Sequence, residues 1–453
     1  MSQNPQAQNR MGSARMLPLI FSMALPAMFS MLVQALYNVV DSYFVSQVSE
    51  KALAAVSLAF PIQNLQIAFA VGTAVGVTSL ISRRLGQGRD QEATSAAAHG
   101  VLLGVVTWAA FAVYGAFFTT PFFRAFESDP EIVHMGDQYI SICLIFSFGS
   151  FIVVMIEKIL QATGNMFWPM IFQLVGALVN IALDPVFIFG YFGLPAMGVT
   201  GAAIATVGGQ ILSMLFAVVV LVVRPHAIKI SFKGFRFHWD TVKNIYAVGL
   251  PAIVMQAIGT VMNMAMNGIL SGFSTTAYTV FGVYFKLQSF VFMPVFGLTQ
   301  GLLPIMGYNF GARNKKRLLS ALYDGCGIAL AIMAAGMAVF LLLPDKLLGI
   351  FNPSPELLEI GVPALRTICT CFLFAALGIV SSTLFQAVGK GTYSLIVSLM
   401  RQLVVLVPVA WLMAAATGQV GAVWWAFPIA ETVSLMASVV FYLRLYKREI
   451  RTL

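Results

Sequence analysis

Two aspartates sit in stretches otherwise too apolar to carry charge, and both have amide neighbours at helical spacing. Asp41 closes a stripe of Gln34, Asn38 and Asp41, four and three residues apart and so on one helical face, with Tyr37 alongside. Asn180 and Asp184 are again four apart, and Pro185 removes a backbone hydrogen bond at the level of the carboxyl group. Gln63 and Gln66, on the segment between, reach a similar depth. An ionisable side chain in hydrocarbon costs roughly 2.5–3.5 kcal/mol even on insertion scales, so each aspartate is a functional candidate. Burial and a like neighbour both disfavour ionisation, and such a pair can hold and exchange a proton near neutral pH. The plainer alternative pairs each aspartate with an asparagine or the backbone.

Further along, Lys286, Arg401 and Glu431 approach the midplane when counted at about 1.5 Å per residue. This cluster reads as a structural ion pair, Glu431 neutralising one of the two cations. Glu157, Lys158 and Arg366 fall nearer the surfaces, where snorkelling accounts for them.

The elements that must hold these residues are membrane helices. Of 453 residues 59% are hydrophobic and 9% charged, with mean hydropathy +0.88; a soluble domain carries roughly 25% charge. Apolar runs long enough to cross about 30 Å of hydrocarbon are expected at 16–44, 52–81, 93–119, 138–160, 167–192, 197–223, 244–271, 276–308, 318–343, 357–387, 392–416 and 420–444. Residues 1–15, with Arg10 and Arg15, read as a retained tail and not a signal peptide. Most of the 26 basic residues fall in the two tails and alternate loops, which puts both termini in the cytoplasm. The net charge of +9 describes that face and not a nucleic-acid surface. The basic, aromatic stretch Lys229, Phe232, Lys233, Phe235, Arg236, Phe237, Trp239 is expected at the lipid headgroups. Cys143, Cys326, Cys369 and Cys371 form no disulfide or metal pattern and read as packing residues.

The chain repeats itself at an offset of 225. Pro251 follows Pro26 by that number, Asn263 follows Asn38, Gln288 follows Gln63, Gly297 and Gly301 follow Gly72 and Gly76, Gly311 follows Gly86, and Gln386 follows Gln161. After a five-residue slip, Gly198, Gly201 and Ala202 meet Gly418, Gly421 and Ala422. Six helices per half make a parallel repeat about an axis along the membrane normal. The expected organisation is a tail 1–15, a six-helix bundle 16–223, a basic linker 224–243, a second bundle 244–444 and a tail 445–453. The Gly-x-x-x-Gly pairs read as close helix packing.

Several stretches resemble the multidrug and toxic compound extrusion (MATE) transporters, in particular their DinF-like prokaryotic branch. These are Gln34-Ala-Leu-Tyr-Asn-Val-Val-Asp41, Arg83-Arg-Leu-Gly86, Leu160-Gln-Ala-Thr-Gly-Asn165, Val179-Asn-Ile-Ala-Leu-Asp-Pro185 and Gly198-Val-Thr-Gly-Ala-Ala-Ile-Ala-Thr206, with Phe385-Gln-Ala-Val-Gly389 and Gly418-Gln-Val-Gly-Ala-Val-Trp424 in the second half. The resemblance implies a V-shaped pair of six-helix bundles in a prokaryotic inner membrane, working as a monomer and needing no cofactor. It implies export of amphipathic, often cationic organic compounds in exchange for protons or sodium. It carries the coupling site to Asp41, Asn180, Asp184 and Thr206, with Tyr37 nearby; a sodium ion would sit on the first four. Gln34, Asn38, Gln63 and Gln66 then line the substrate cavity. Helices seven and ten, acidic in the sodium-linked NorM-like branch, here offer Gln256, Asn263, Asn267, Cys369 and Cys371 and no deep carboxylate.

Two other functions are weighed against this one. A flippase for lipid-linked sugars wants a strongly basic cavity, whereas Glu431 offsets one of the few cations available. An intramembrane aspartyl protease also needs two membrane aspartates, but its GxGD motif is absent, as are HExxH and GxSxG, so no enzyme is expected.

Overall fold

The computed structural model describes residues 10–228, 230 and 235–453, and no strand occurs among them. Lys229, Phe232 and Lys233 of the basic aromatic stretch lie outside the described residues. Among the described residues eleven helices are long and apolar enough to span a membrane: α1 (Met16–Ser46), α2 (Glu50–Gly86), α3 (Asp90–Phe117), α5 (Phe167–Phe189), α6 (Gly198–Val223), α7 (Trp239–Ser271), α8 (Thr275–Gly311), α9 (Lys315–Leu342), α10 (Pro355–Ala387), α11 (Gly391–Thr417) and α12 (Val420–Ile450). The twelfth span, α4, is a pair, Pro130–Ile145 and Phe148–Ala162, bent by 45°. Ser147 sits in the break and donates its hydroxyl to the Leu144 carbonyl at 2.7 Å, a local bond that competes with the helical ladder. Because α4 begins at Pro130, Asp137 lies inside the span and not before it, as the expected start at 138 had it.

The repeat reappears as local chemistry. Ser49 caps α2 by accepting from the Ala52 N–H, and Ser274 caps α8 by accepting from the Ala277 N–H, both at 3.0 Å. Asp129 and Ser354 cap α4 and α10 in the same register. α2 and α8, 37 residues each, are about 55 Å long, well beyond the hydrocarbon core.

The halves join along a seam that obeys the same two-fold. Gly72 of α2 lies against Gly249 and Ile253 of α7, and Gly297 of α8 lies against Met28 of α1. A Cβ on Gly86 would run into the Tyr308 carbonyl, and one on Gly311 into the Arg83 carbonyl. Backbones this close leave room only for hydrogen, as the small-residue pattern predicts. The seam extends from Asn64, whose Nδ2 donates to Thr260 Oγ1 at 2.7 Å, to the side of the molecule that carries the termini. Toward the opposite side Leu32, Leu36 and Tyr43 of α1 are exposed.

Two terminal or linking stretches dock on this frame. Residues 10–13 are helical, and Met11 is buried, its carbonyl accepting from Asn309 Nδ2 at 3.1 Å and Arg317 Nη2 at 3.0 Å. In the linker, His238 donates its N–H to Nε2 of the buried His99 of α3 at 2.9 Å, and Phe235 and Phe237 pack on the same imidazole. That part of the stretch is therefore anchored on protein, while Trp239 stays exposed.

Candidate functional site

Asp184 is fully buried on α5, one turn after Asn180. The Asn180 amide satisfies its neighbours with the nitrogen toward Asp184: Nδ2 then donates to Asp184 Oδ2 at 2.9 Å, while Oδ1 accepts from the Thr206 N–H at 3.0 Å and from Thr206 Oγ1 at 3.3 Å. Thr206 enters from α6, and Tyr37 of α1 lies beside it. Asp41, one turn further along α1, interacts electrostatically with Asp184. Oδ1 of Asp41 and Oδ1 of Asp184 are both buried with no hydrogen-bond partner among the described residues. Two buried carboxyl oxygens without donors are costly, and a proton or an oxygen-seeking cation is what such a pocket lacks.

The structure thus gathers Asp41, Asp184, Asn180, Thr206 and Tyr37 into one pocket. Gln63 reaches its edge by donating to Tyr139 Oη at 3.1 Å. Tyr139 and Cys143 of α4 are buried beside Asp41 and Tyr37, and sequence reasoning missed both as members of the pocket. The available signal was their spacing, four residues on one helical face opposite the glutamines of α2. Gln66 is buried in α2, whereas Gln34 and Asn38 are exposed and bond to each other at 3.3 Å.

In the second half the expected cluster of three charges divides. Arg401 Nη1 lies 3.3 Å from Glu431 Oε1, both partly buried. Arg401 occupies a π-helical turn, Met400–Leu406, just before Pro408, whose missing N–H leaves the Val404 carbonyl without its usual partner. Lys286 is not part of this pair: it is exposed, with Nζ 6.0 Å from the centre of the Phe351 ring. Eleven residues, three helical turns, separate it from Gly297, so it lies on the α8 face that meets α1 lower down.

Snorkelling also fails for Glu157 and Lys158, which are 4% and 9% exposed. Glu157 faces its own bundle and accepts from Gln173 Nε2 at 3.0 Å. Lys158 turns to the seam, where Nζ donates to Gln161 Oε1 at 2.8 Å and to Gln300 Oε1 of the other half at 2.9 Å. Counting depth along a helix could not reveal this, because the lysine is covered by the second half of the chain. An apolar cavity of about 810 Å³ between α7 and α11, walled by Gly268 and Trp411, contains none of these groups.

Twelve apolar spans in two related halves, with polar groups buried inside one half and at the seam, define a membrane transporter of the parallel-repeat kind. The MatE family model matches residues 26–186 and again 251–412, the second match beginning 225 residues after the first, and the chain belongs to that family of MATE transporters. It is similar to the FAD transporter of Shewanella oneidensis, at 24% identity over 88% of each chain. It is also similar to the multidrug export protein MepA of Staphylococcus saprophyticus, at 25% identity over 90% of this chain and 89% of that one. Among solved structures, an outward-facing multidrug resistance MATE family transporter of the MOP superfamily superposes with TM-score 0.92 at 25% identity, covering all of both chains. A MOP superfamily transporter from Pyrococcus furiosus, described as having a binding pocket of reverse polarity, gives TM-score 0.90 at 26% identity over 98% of this chain and 99% of that one.

Proposed function

We propose that this chain exports amphipathic organic compounds, organic cations among them, in exchange for protons or sodium, by rocking its two halves about the seam. The observation that carries the coupling is the pair of unpartnered buried oxygens on Asp41 and Asp184. A proton on either carboxyl group would convert an acceptor into a donor. A sodium ion would instead take oxygens from Asp41, Asp184, the Asn180 side chain and Thr206, all of them hard ligands suited to it. The multidrug and FAD transport named for the relatives supports an organic cargo. Seam contacts on the terminus side, exposed α1 side chains on the other and the superposition on an outward-facing MATE structure support an outward-open state, with both termini cytoplasmic in a prokaryotic inner membrane. One chain holds both halves of the path, so a monomer suffices.

The test is transport of ethidium in proteoliposomes, driven in turn by a proton gradient and a sodium gradient. Uptake against the gradient of one ion, lost in Asp41→Asn, is expected; flux under neither gradient across a panel of organic cations overturns the reading.

A further inference from the structure

A cavity of about 80 Å³ lies between the halves, walled by residues of α2, α4, α8 and α10. The offset of 225 maps this pocket onto itself: Val75 onto Gln300, Lys158 onto Thr383, Gln161 onto Gln386. It therefore sits on the internal two-fold, where both halves present equivalent faces to the same space. The symmetry is broken by a single charge. Lys158 faces the pocket and has no hydrogen-bond or ion-pair contact with a carboxylate among the described residues; its sequence neighbour Glu157 points into the first bundle.

Donor capacity is left unused here. An ammonium group has three protons, and two go to Gln161 and Gln300. Gln300 Nε2 and the side chain of Gln386 bond to nothing among the described residues. A buried cation of this kind, held only by neutral amide oxygens and beside the free Gln300 Nε2 and the free Gln386 amide, lacks an anion, and the space suits one small group, a few waters' worth at about 30 Å³ each.

We propose that this pocket binds an anionic group, the phosphate or carboxylate of a transported compound, with Lys158 as its counter-ion. The proposal rests on the reading that organic compounds pass between the halves, and it adds their charge. An anion between Lys158 of the first half and Gln300 and Gln386 of the second would compete with the direct Lys158–Gln300 bond. Loading the pocket would thereby loosen one contact that holds the seam closed.

A matched pair of fluorescent probes isolates the anion: riboflavin and its 5′-phosphate, titrated into the detergent-purified full chain with no gradient present. The ester is expected to bind at least about tenfold more tightly than riboflavin, as a charge-assisted contact to a desolvated ammonium warrants. That advantage is expected to vanish in Lys158→Gln and in Gln300→Glu, which supplies the missing carboxylate in place of the ligand, and to persist in Lys158→Arg. Absence of the advantage in the unmodified chain, including absence of any binding, overturns the proposal, as does an advantage that survives Lys158→Gln. Repeating the titration in nanodiscs tells a soluble ester from a headgroup. If anionic phospholipid displaces the ester, the pocket takes lipid and the cargo assignment falls. Ethidium transport under a gradient is read separately, so failure of the anion site and failure of the export reading are distinguishable.

Discussion

The two halves share caps, seam glycines and helix order, yet they bury opposite chemistry. Tyr37 and Asp41 of α1 correspond in the repeat to Met262 and Met266 of α7, Tyr139 and Cys143 of α4 to Ala364 and Ile368 of α10, and, after the slip, Thr206 to Ala426. Met262, Met266, Ala364, Ile368 and Ala426 all belong to the apolar core of the second half. The same scaffold is thus a polar, unsatisfied pocket on one side and a packed hydrocarbon core on the other. Duplication supplied the geometry twice, and only the first copy carries the pair of unpartnered buried carboxyl oxygens on Asp41 and Asp184. The carboxylate that the second half does bury in its membrane interior, Glu431, is already paired with Arg401.

The largest effect should come from removing the difference in the first half. Asp41→Asn and Asp184→Asn keep side-chain shape and lose the titratable group, so gradient-driven export should fall to background while insertion and expression persist. Full export by either variant would mean that the two halves do not differ in coupling. Placing the aspartate in the second half is the converse experiment. Met266→Asp puts a carboxyl group in a fully buried apolar site and should cost about 3 kcal/mol or more of stability without creating a second ion site. Thermal melting in detergent measures the first consequence and ion stoichiometry the second.

Glu431→Gln should act on stability and leave coupling largely intact. The pair is only partly screened, with side chains 29% and 15% exposed, so a loss of about 1–2 kcal/mol is expected, below the value for a fully buried pair. Arg401→Met should restore much of it, whereas Lys286→Met should not, since Lys286 stands apart. Rescue by Lys286→Met would reinstate a three-charge cluster.

The smallest effect concerns the outer end of the first half, where Lys51 bonds Asp129 Oδ2 at 2.9 Å and Glu131 Oε2 at 2.6 Å. The Lys51 hydrogen bond, helped by the Glu131 backbone N–H, holds the Asp129 carboxyl below its ordinary range. A group depressed in the folded state contributes stability above its unfolded pKa of about 3.9 and loses it as pH falls through the folded value. Lys51→Met should therefore lower the melting temperature slightly at pH 7 and leave no difference from the unmodified chain at pH 2. The second half has Thr276 at the matching position, and its outer end should show no such acid sensitivity.

The spans were legible because hydrocarbon imposes length and apolarity on every helix it contains. The aspartates were legible because charge is rare there. Tyr139 and Cys143 were not, because a tyrosine and a cysteine on an apolar helix look like packing until the 45° bend in α4 and the position of α2 bring them beside Asp41. Lys158 and Lys286 were misplaced for a shared reason. Depth along a helix is a one-dimensional measure, and whether a lysine is covered depends on the other half, which lies far away in the chain.

The docked stretch at residues 10–13 has a consequence for the timing of the cycle. It belongs covalently to the first half but bonds to Asn309 and Arg317 of the second. If the halves rock apart on that side as proposed, it would remain leashed a few residues from α1, and its return would be intramolecular, at an effective concentration on the order of millimolar. A leash of this kind does not change which ions or compounds bind. In the proposed rocking cycle it would shorten the dwell of the terminus-side opening, because rebinding to Asn309 and Arg317 would be intramolecular.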